Sequence, residues 1–313
     1  MPAAIVEITR AVGKISQDIL VFDRSMQETD TPLADLRQRI DQIDEQIHDL
    51  VIARAALVDE IRRNKDRSGA PVIQPQRETA VLRRLATRHQ GAFPFPAIVR
   101  IWREMIAAIT QMQQPMAVAV FAPEDLPGAW DLARDHFGSA MPMSAYQTIG
   151  QVFRAMSDKS ATIGVLPMPQ ERDQEPWWRQ LLSVDTTAPR VFARLPMTER
   201  GNARGSNEVL AIACNLGEIA PVDHSLVALE IGGPVSRMKL ISSLGSAHFA
   251  GSLIDVSNDE GICLVLLDLD GAVALDDDRF AELAAQLGTP IARVYPLGGY
   301  ADPVLPAGAP PSA

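Results

Sequence analysis

The sequence predicts a multidomain protein in which an all-α helical domain precedes an α/β region and an α+β, ferredoxin-like domain. Apolar residues recur in alternating steps of four and three from residue 36 to residue 61, which indicates a long amphipathic helix. From residue 116 onward, short apolar segments alternate with helical patterns, which is typical of a sheet covered by helices. The pattern of residues 225–300 predicts strands and helices in the order βαββαβ, which is that of a ferredoxin-like sandwich.

The composition is that of an ordinary globular protein, since 47% of the 313 residues are hydrophobic and 22% are charged. The best candidate for a membrane span, residues 262–267, is far shorter than the roughly 18–20 residues that a spanning helix needs. Glu7 and Asp18 interrupt the order of a secretory signal peptide. We therefore expect a cytoplasmic protein without a membrane partner.

Charge is unevenly distributed along the chain. The net charge of −10 argues against nucleic acid as a partner. Residues 31–114 carry 13 Arg and Lys against 10 Asp and Glu, so this segment is net positive while the remainder is strongly acidic. The helical domain is therefore the part equipped to bind an anion.

No metal site is predicted. Cys214 and Cys263 have neither the spacing of metal ligands nor that of a disulfide framework, and we expect two buried thiols. The acidic run near residue 270 lacks the spacing of a calcium loop, and the five histidines show no ligand spacing.

The predicted helical domain covers residues 31–114 and follows an N-terminal extension, residues 1–30. Its three helices are expected at about residues 31–65, 76–89 and 97–113. The expected apolar face of the third helix consists of Ile98, Trp102, Met105, Ile109 and Met112. One long helix and two shorter ones cannot cover the apolar seam of the long one, so we expect an intertwined homodimer.

The α/β region is predicted over residues 116–222, the ferredoxin-like domain over residues 223–300 and a disordered tail over residues 301–313. Strands of the α/β region are expected at residues 116–121, 161–166, 190–195 and 209–214, with helices near 126–137, 148–157 and 176–182. The ferredoxin-like domain is expected to have strands at 226–231, 249–256, 262–269 and 291–294, with helices at 235–244 and 277–287.

One residue of the long helix is out of place in an apolar seam. Arg54 occupies a seam position between Leu50 and Leu57, and a buried charge needs a partner. Lys65 follows eleven positions later, so it lies within about 20° of Arg54 and about 16 Å along the axis. Arg37 points about 100° away and would serve another surface or another subunit. The partner of Arg54 is either a structural carboxylate or a bound anion.

Three stretches carry a resemblance to a known family. They are "LADLRQRIDQIDEQIHDLVIARAALVDEIRRNK", "PVIQPQRETAVLRRL" and "IWREMIAAITQMQ". Residues 33–114 thereby resemble the all-helical class of chorismate mutase. The resemblance implies that chorismate, the substrate, is isomerised to prephenate in aromatic amino-acid biosynthesis, at sites shared by two subunits of a homodimer.

The resemblance also implies the roles of particular residues. The implied catalytic residues are Arg54, Lys65 and Gln113, and the implied substrate-binding residues are Arg37, Gln74, Arg77 and Glu78. The basic residues would bind the two carboxylates and the ether oxygen, and Glu78 would hold the ring hydroxyl. Gln113 would reach the ether oxygen, Arg37 would come from the partner chain, and Gln74 stands where the family commonly has Asp.

These residue types suit the chemistry that the resemblance implies. The rearrangement takes place within one molecule, so it needs no general base, nucleophile, metal or cofactor. It needs a compact conformer that is held tightly and donors that stabilise negative charge on the ether oxygen as the C–O bond breaks. Arginine supplies both, because its guanidinium binds carboxylates in a fixed bidentate geometry.

The remainder of the chain resembles an altered form of the prephenate dehydratase half of the bifunctional mutase–dehydratase enzymes. The stretches that carry this resemblance are "HFGSAMPMSAYQTIGQVFRAMSDKSATIGVLPMPQE" and, for the regulatory ACT domain, "ARVYPLGGYADP". Pro169, Gln170 and Glu171 replace the Glu-Asn-Ser of that family, and "NARGSNEVLAIA" replaces its Thr-Arg-Phe motif. We therefore expect a non-catalytic C-terminal region with an ACT-like domain.

Two other functions stay open. A working bifunctional chorismate mutase/prephenate dehydratase would need a catalytic hydroxyl such as that of Ser206. A non-catalytic regulatory protein would need an inactive mutase site, and the presence of the whole set of basic and polar residues argues against it.

Overall fold

A computed structural model describes residues 32–57, 60, 71–171, 173, 176–199, 201–205, 207–216, 223–259 and 261–306. The chain divides into two compact units, residues 1–67 and residues 68–313. The predicted N-terminal extension lies outside the described residues, and so does most of the long helix that was expected beyond residue 57.

The first unit contributes one described helix, α1, which spans Leu33–Ala56. No residue of α1 is buried. The five seam residues within it, Leu36, Ile40, Ile43, Ile47 and Leu50, are 41–57% exposed. The predicted seam is therefore a helical stripe that no described residue of the first unit covers.

The second unit begins with two helices, α2 over Pro75–Arg88 and α3 over Phe95–Gln113. Both carry proline in the first turn, where the missing N–H would have no intrahelical partner anyway. The buried residues of α2 are Thr79, Leu82 and Ala86, at the three- and four-residue spacing of one helix face.

The buried face of α3 differs from the predicted one. Its buried residues are Phe95, Val99, Arg103 and Thr110. Of the five residues of the predicted apolar face, Met112 is 58% exposed and the others are half-buried. Apolar residues occur on both sides of α3, and only its packing against the next helix of the chain selects the side that contains an arginine.

Residues 116–222 contain the strands and helices that the sequence predicts, together with one further strand. The elements are β1 (Val118–Phe121), α4 (Gly128–Phe137), β2 (Met143–Tyr146), α5 (Ile149–Ser157), β3 (Ile163–Pro167), a 3₁₀ helix (Trp177–Leu181), β4 (Arg190–Leu195) and β5 (Val209–Ala213). The strand that was not predicted, β2, has four residues at the edge of the sheet, and the two central ones are exposed. It therefore lacks the apolar alternation by which a strand is found in a sequence.

Residues 223–300 have the elements of a ferredoxin-like unit in the predicted order. They are β6 (His224–Gly232), α6 (Arg237–Ser246), β7 (Gly251–Asp259), β8 (Ile262–Asp270), α7 (Arg279–Leu287) and β9 (Ile291–Tyr300). The strands lie in the order β9-β6-β8-β7, and all three neighbouring pairs are antiparallel. This is the strand arrangement of a split βαβ unit.

The two regions share one mixed sheet of nine strands, with the order β2-β1-β3-β5-β4-β9-β6-β8-β7. The sequence suggests an α/β region and a ferredoxin-like domain as separate parts. The strands β4 and β9 join them in parallel, through the pair Val191 and Gly298. A pairing between strands so far apart in the chain leaves no local sequence signal, and the boundary between the two parts stays a prediction.

Apolar side chains of the strands point alternately to the two faces of the sheet, which explains why both faces are covered. Val118 and Val120 of β1 pack into one hydrophobic cluster with α3 and α4, whereas Ala119 packs into a second cluster with α5. A third cluster joins one face of β6 and β8 to α6 and α7. Successive side chains of a strand point to opposite faces, so each strand contributes to two cores.

Two expectations, one for the C-terminal tail and one for a cysteine, are corrected. The predicted disordered tail starts at residue 301, but Val304 is buried and its backbone N–H donates to the carbonyl oxygen of Met197 at 2.7 Å. Cys263 is buried, and burial raises the pKa of its thiol. Cys214, in contrast, is exposed, because it lies just beyond the end of β5.

Candidate functional site

Two of the predicted site residues lie on α1. Arg37 is exposed, and Arg54 is half-buried in the last turn. The negative end of the helix dipole makes the last turn a favourable place for a guanidinium. Lys65, which was expected on the same face as Arg54, lies outside the described residues.

Three more predicted residues are gathered at the start of α2. Gln74 is the N-cap residue, and its side chain makes no capping hydrogen bond. Arg77 is exposed and Glu78 is half-buried, both in the first turn of the helix. The first turn of a helix presents unpaired N–H groups and a partial positive charge, so it suits an anionic ligand.

Glu78 is held by a residue that was not among the predicted site residues. Nη1 of Arg103, on α3, donates to Oε2 of Glu78 at 2.5 Å. The side chain of Arg103 is 5% exposed and that of Glu78 is 20% exposed. A charge-assisted hydrogen bond that is shielded from water is strong and directional, so it fixes the start of α2 against the middle of α3.

A cavity adjoins this ion pair. Glu78, Arg103 and His136 line it together with apolar side chains from α3, α4, β4 and the connecting segments, namely Ile73, Ile106, Met116, Phe137, Met141 and Phe192. Burial lowers the pKa of His136 well below its usual value, and the nearby guanidinium of Arg103 lowers it further. The imidazole is therefore neutral at pH 7.

Gln113, the last predicted residue, is the final residue of α3. Its Nε2 donates to the carbonyl oxygen of Ile109 at 3.4 Å, and its Oε1 is buried with no hydrogen-bond partner among the described residues. Thr110, one turn earlier, lines the same cavity as Glu78. The end of α3 therefore lies beside the start of α2, which carries Gln74, Arg77 and Glu78.

The sequence did contain a signal for Arg103. This residue follows Phe95 and Val99 at four-residue spacing, so it lies on an otherwise apolar helix face. The same pattern, a charge within an apolar stripe, occurs at Arg54 in the seam of α1. In α3 the pattern is weaker, because a second face of that helix contains more apolar residues.

Neither the candidate dehydratase hydroxyl nor a metal cluster adds a second site within the described residues. Ser206 lies outside the described residues. Within the part of the chain that the structure describes, no three His, Cys, Asp or Glu side chains are placed so that they could hold a metal ion. Among the described helices, none is long and apolar enough to cross a membrane.

Comparison with known proteins defines the class that the helical segment resembles. Residues 36–114 match the family described as Chorismate mutase type II, so this segment is similar to that class of protein. The matched range contains all seven predicted site residues.

Longer relatives extend the similarity beyond this segment. A protein of Pseudomonas aeruginosa named bifunctional chorismate mutase/prephenate dehydratase is 31% identical over 140 residues, which are 42% of this chain and 38% of the relative. A protein of the same name from Aquifex aeolicus is also 31% identical over 140 residues, 44% of this chain and 38% of the relative. The similarity thus spans less than half the length of either relative.

One solved structure, prephenate dehydratase from Streptococcus mutans, aligns with 59% of this chain and 97% of its own length. The sequence identity is 13% and the TM-score is 0.39. A TM-score this low does not establish a shared fold.

Proposed function

We propose that this protein is a chorismate mutase, an isomerase that converts chorismate to prephenate in the cytoplasm. The observation that carries this proposal is the match of residues 36–114 to the Chorismate mutase type II family, because that range contains every residue that the reaction would use. The positive charge of this segment within an acidic protein supports the same conclusion, since chorismate is a dianion.

The proposed mechanism uses binding and charge alone. Arg54, Lys65 and Arg77 bind the carboxylates and ether oxygen of chorismate, and Gln113 donates to that oxygen. Glu78 accepts a hydrogen bond from the ring hydroxyl, which selects the productive orientation. Donors fixed in place before the reaction stabilise the developing negative charge without reorganisation, so no cofactor or metal takes part.

The active protein is a homodimer in this proposal. The exposed seam of α1 supports it, because most of the stability of an amphipathic helix comes from packing its apolar face, and the stripe on this helix of about 36 Å is exposed. A second copy of α1 offers a matching stripe and supplies Arg37 to the opposite site. A twofold axis makes the two shared sites equivalent.

The C-terminal region is non-catalytic in this proposal, and residues 223–300 are an ACT-like domain. The loss of the Glu-Asn-Ser and Thr-Arg-Phe motifs supports the first point, and the ferredoxin-like strand order supports the second. One observation favours a second candidate function, a bifunctional mutase and dehydratase, since both relatives carry that name.

An assay of the purified chain with each substrate tests these proposals. Chorismate should be consumed and prephenate formed, and prephenate offered alone should persist at neutral pH. Failure to consume chorismate would refute the proposed function. Enzyme-dependent formation of phenylpyruvate from prephenate would establish the bifunctional alternative instead.

Mixed dimers test whether the sites are shared. One subunit carries Arg37→Ala and the other Arg54→Ala, so a shared arrangement leaves one intact site and one doubly altered site. About half of the wild-type turnover should then be recovered, since each of the two sites acts alone. An inactive heterodimer would mean that each chain builds its own site.

A further inference from the structure

The ion pair between Glu78 and Arg103 leaves one oxygen of the carboxylate unused. Oε2 of Glu78 accepts from Nη1 of Arg103 at 2.5 Å. Oε1 accepts no hydrogen bond from any residue within the described ranges. A carboxylate held at one oxygen in this way presents the other in a fixed direction, where it can accept from a ligand.

We propose that Arg103 is a positioning residue, which aims the free oxygen of Glu78 at the hydroxyl group of the bound substrate. This inference rests on the proposed function, because the hydroxyl is that of the chorismate ring. It assigns to α3 a second contribution to the site besides Gln113, made through another residue and not through contact with the substrate.

The surroundings of Arg103 make it rigid enough for this role. The residue is 4% exposed, and it belongs to the buried face of α3 with Phe95 and Val99. Its Nη2 lies 2.8 Å from the sulfur of Met197, which packs from the chain beyond β4. A guanidinium confined on all sides has one orientation, so the carboxylate that it binds loses the rotamer freedom of an exposed glutamate.

Positioning matters for a reaction that relies on orientation. A glutamate side chain in the first turn of a helix samples several rotamers, and only some place Oε1 toward the ligand. Removing Arg103 would keep the negative charge of Glu78 but would no longer fix the direction in which Oε1 points. The expected consequence is weaker and less productive binding of chorismate.

A merely structural role for the ion pair predicts a different result. In that case Arg103 only ties α2 to α3, and its loss would lower activity through the stability of the fold. The melting temperature would then fall, whereas kcat/KM of the folded protein, measured well below that temperature, would stay at the wild-type value. A positioning role requires that the effect of Arg103 disappears once the carboxylate is gone.

Four variants of the full chain separate these roles: Arg103→Met, Arg103→Lys, Glu78→Gln and the double variant Glu78→Gln/Arg103→Met. For each, kcat and KM for chorismate and the melting temperature are measured. Arg103→Met should lower kcat/KM about 10- to 100-fold, mainly through KM, as expected when a binding group is displaced. In the Glu78→Gln background the same change should alter kcat/KM by less than about threefold, because residues in contact do not act additively.

Arg103→Lys provides the conservative rescue, because it keeps the positive charge within reach of Glu78. It should recover part of the loss in KM and keep the chain folded if Arg103→Met is unstable. Arg100→Met is the matched control, since Arg100 lies one turn away on α3, is exposed and pairs with Asp135. It should leave kcat and KM unchanged.

The possible failures are distinguishable. If the wild-type chain does not convert chorismate, the proposed function fails and the positioning role fails with it. If the wild-type chain is active but Arg103→Met lowers only the melting temperature, causes equal losses of kcat/KM in both backgrounds, or is matched in its loss by Arg103→Lys, only the positioning role is refuted.

Discussion

Gly298 lies directly against the main chain of Val191, at the point where the two halves of the nine-stranded sheet meet. A Cβ atom at residue 298 would lie 2.8 Å from the carbonyl carbon of Val191 and would overlap its carbonyl oxygen. The backbone φ of Gly298 is +121°, a conformation that other residues rarely adopt. Glycine is therefore required for β9 to pair with β4.

Gly298→Ala should strongly destabilise the unit of residues 68–313. The positive φ costs about 1–3 kcal/mol for a residue with a side chain. Overlap with the backbone of Val191 adds about 1–3 kcal/mol. Gly233→Ala is the matched control, because its φ is +84° but its added Cβ meets no atom within 4 Å. Chemical denaturation should show a clearly larger loss for Gly298→Ala, and equal losses would contradict the close approach.

His136 should make the protein sensitive to mild acid. Burial holds the pKa of His136 well below the value of about 6.5 that the residue has in an unfolded chain. The unfolded chain therefore binds a proton in this range that the folded chain does not, and stability falls as the pH falls below about 6.5. This single group contributes at most about 1.4 kcal/mol per pH unit.

The measurement is the free energy of unfolding between pH 6.5 and pH 5 for wild type and His136→Leu. Carboxylates such as Asp131, whose pKa is lowered by hydrogen bonds from Arg204, lose their contribution only at lower pH. His136→Leu should flatten the slope in this window. The control His248→Asn removes an exposed histidine and retains a residue that tolerates its positive φ, so it measures the effect of losing a histidine outside the core. An unchanged slope in His136→Leu would show that the residue is protonated in the folded protein.

Arg54→Ala should abolish most turnover of chorismate without loss of the fold. The loss of a preorganised donor to developing charge typically costs about 3–4 kcal/mol, or about 10²–10³ in rate. If Arg54 served only as one side of a buried structural ion pair, its loss would instead cost about 3–5 kcal/mol of stability. Turnover and melting temperature of one preparation decide between the two. Arg39→Ala on the same helix is the control for loss of charge and should stay active.

Ile47→Glu should convert the proposed dimer to a monomer. Ile47 lies in the seam of α1 and is 54% exposed, whereas Ile52 lies about 140° around the helix and is 56% exposed. A charge in the apolar centre of an interface is costly because it is desolvated without a partner. Sedimentation should therefore detect monomers for Ile47→Glu but dimers for the control Ile52→Glu. If the two variants behave alike, the seam is not the dimer interface.

The sequence predicted well those elements that carry a periodic apolar pattern. Strands such as β4, at residues 190–195, have the predicted bounds, and helix α7 differs from its prediction by two residues. Strand β2 was missed because its exposed central residues carry no apolar alternation. The predicted apolar face of α3 is only half-buried in its larger part, because a neighbouring face that contains Arg103 packs against the core.

For the site, charge and helical spacing predicted a dianion site that contains Arg54, and the resemblance implied the remaining ligands, whose roles stay a prediction. The sequence placed Arg77 and Glu78 in one helical turn, and the structure has them there. It could not identify the partner of Glu78, because Arg103 is 25 residues away and the contact depends on how two helices pack. The joint at Val191 and Gly298 likewise required the tertiary structure, because residues more than 100 positions apart meet there. Local pattern thus determined the elements and the candidate ligands, whereas long-range packing decided which faces are buried, which charges pair and that nine strands form one sheet.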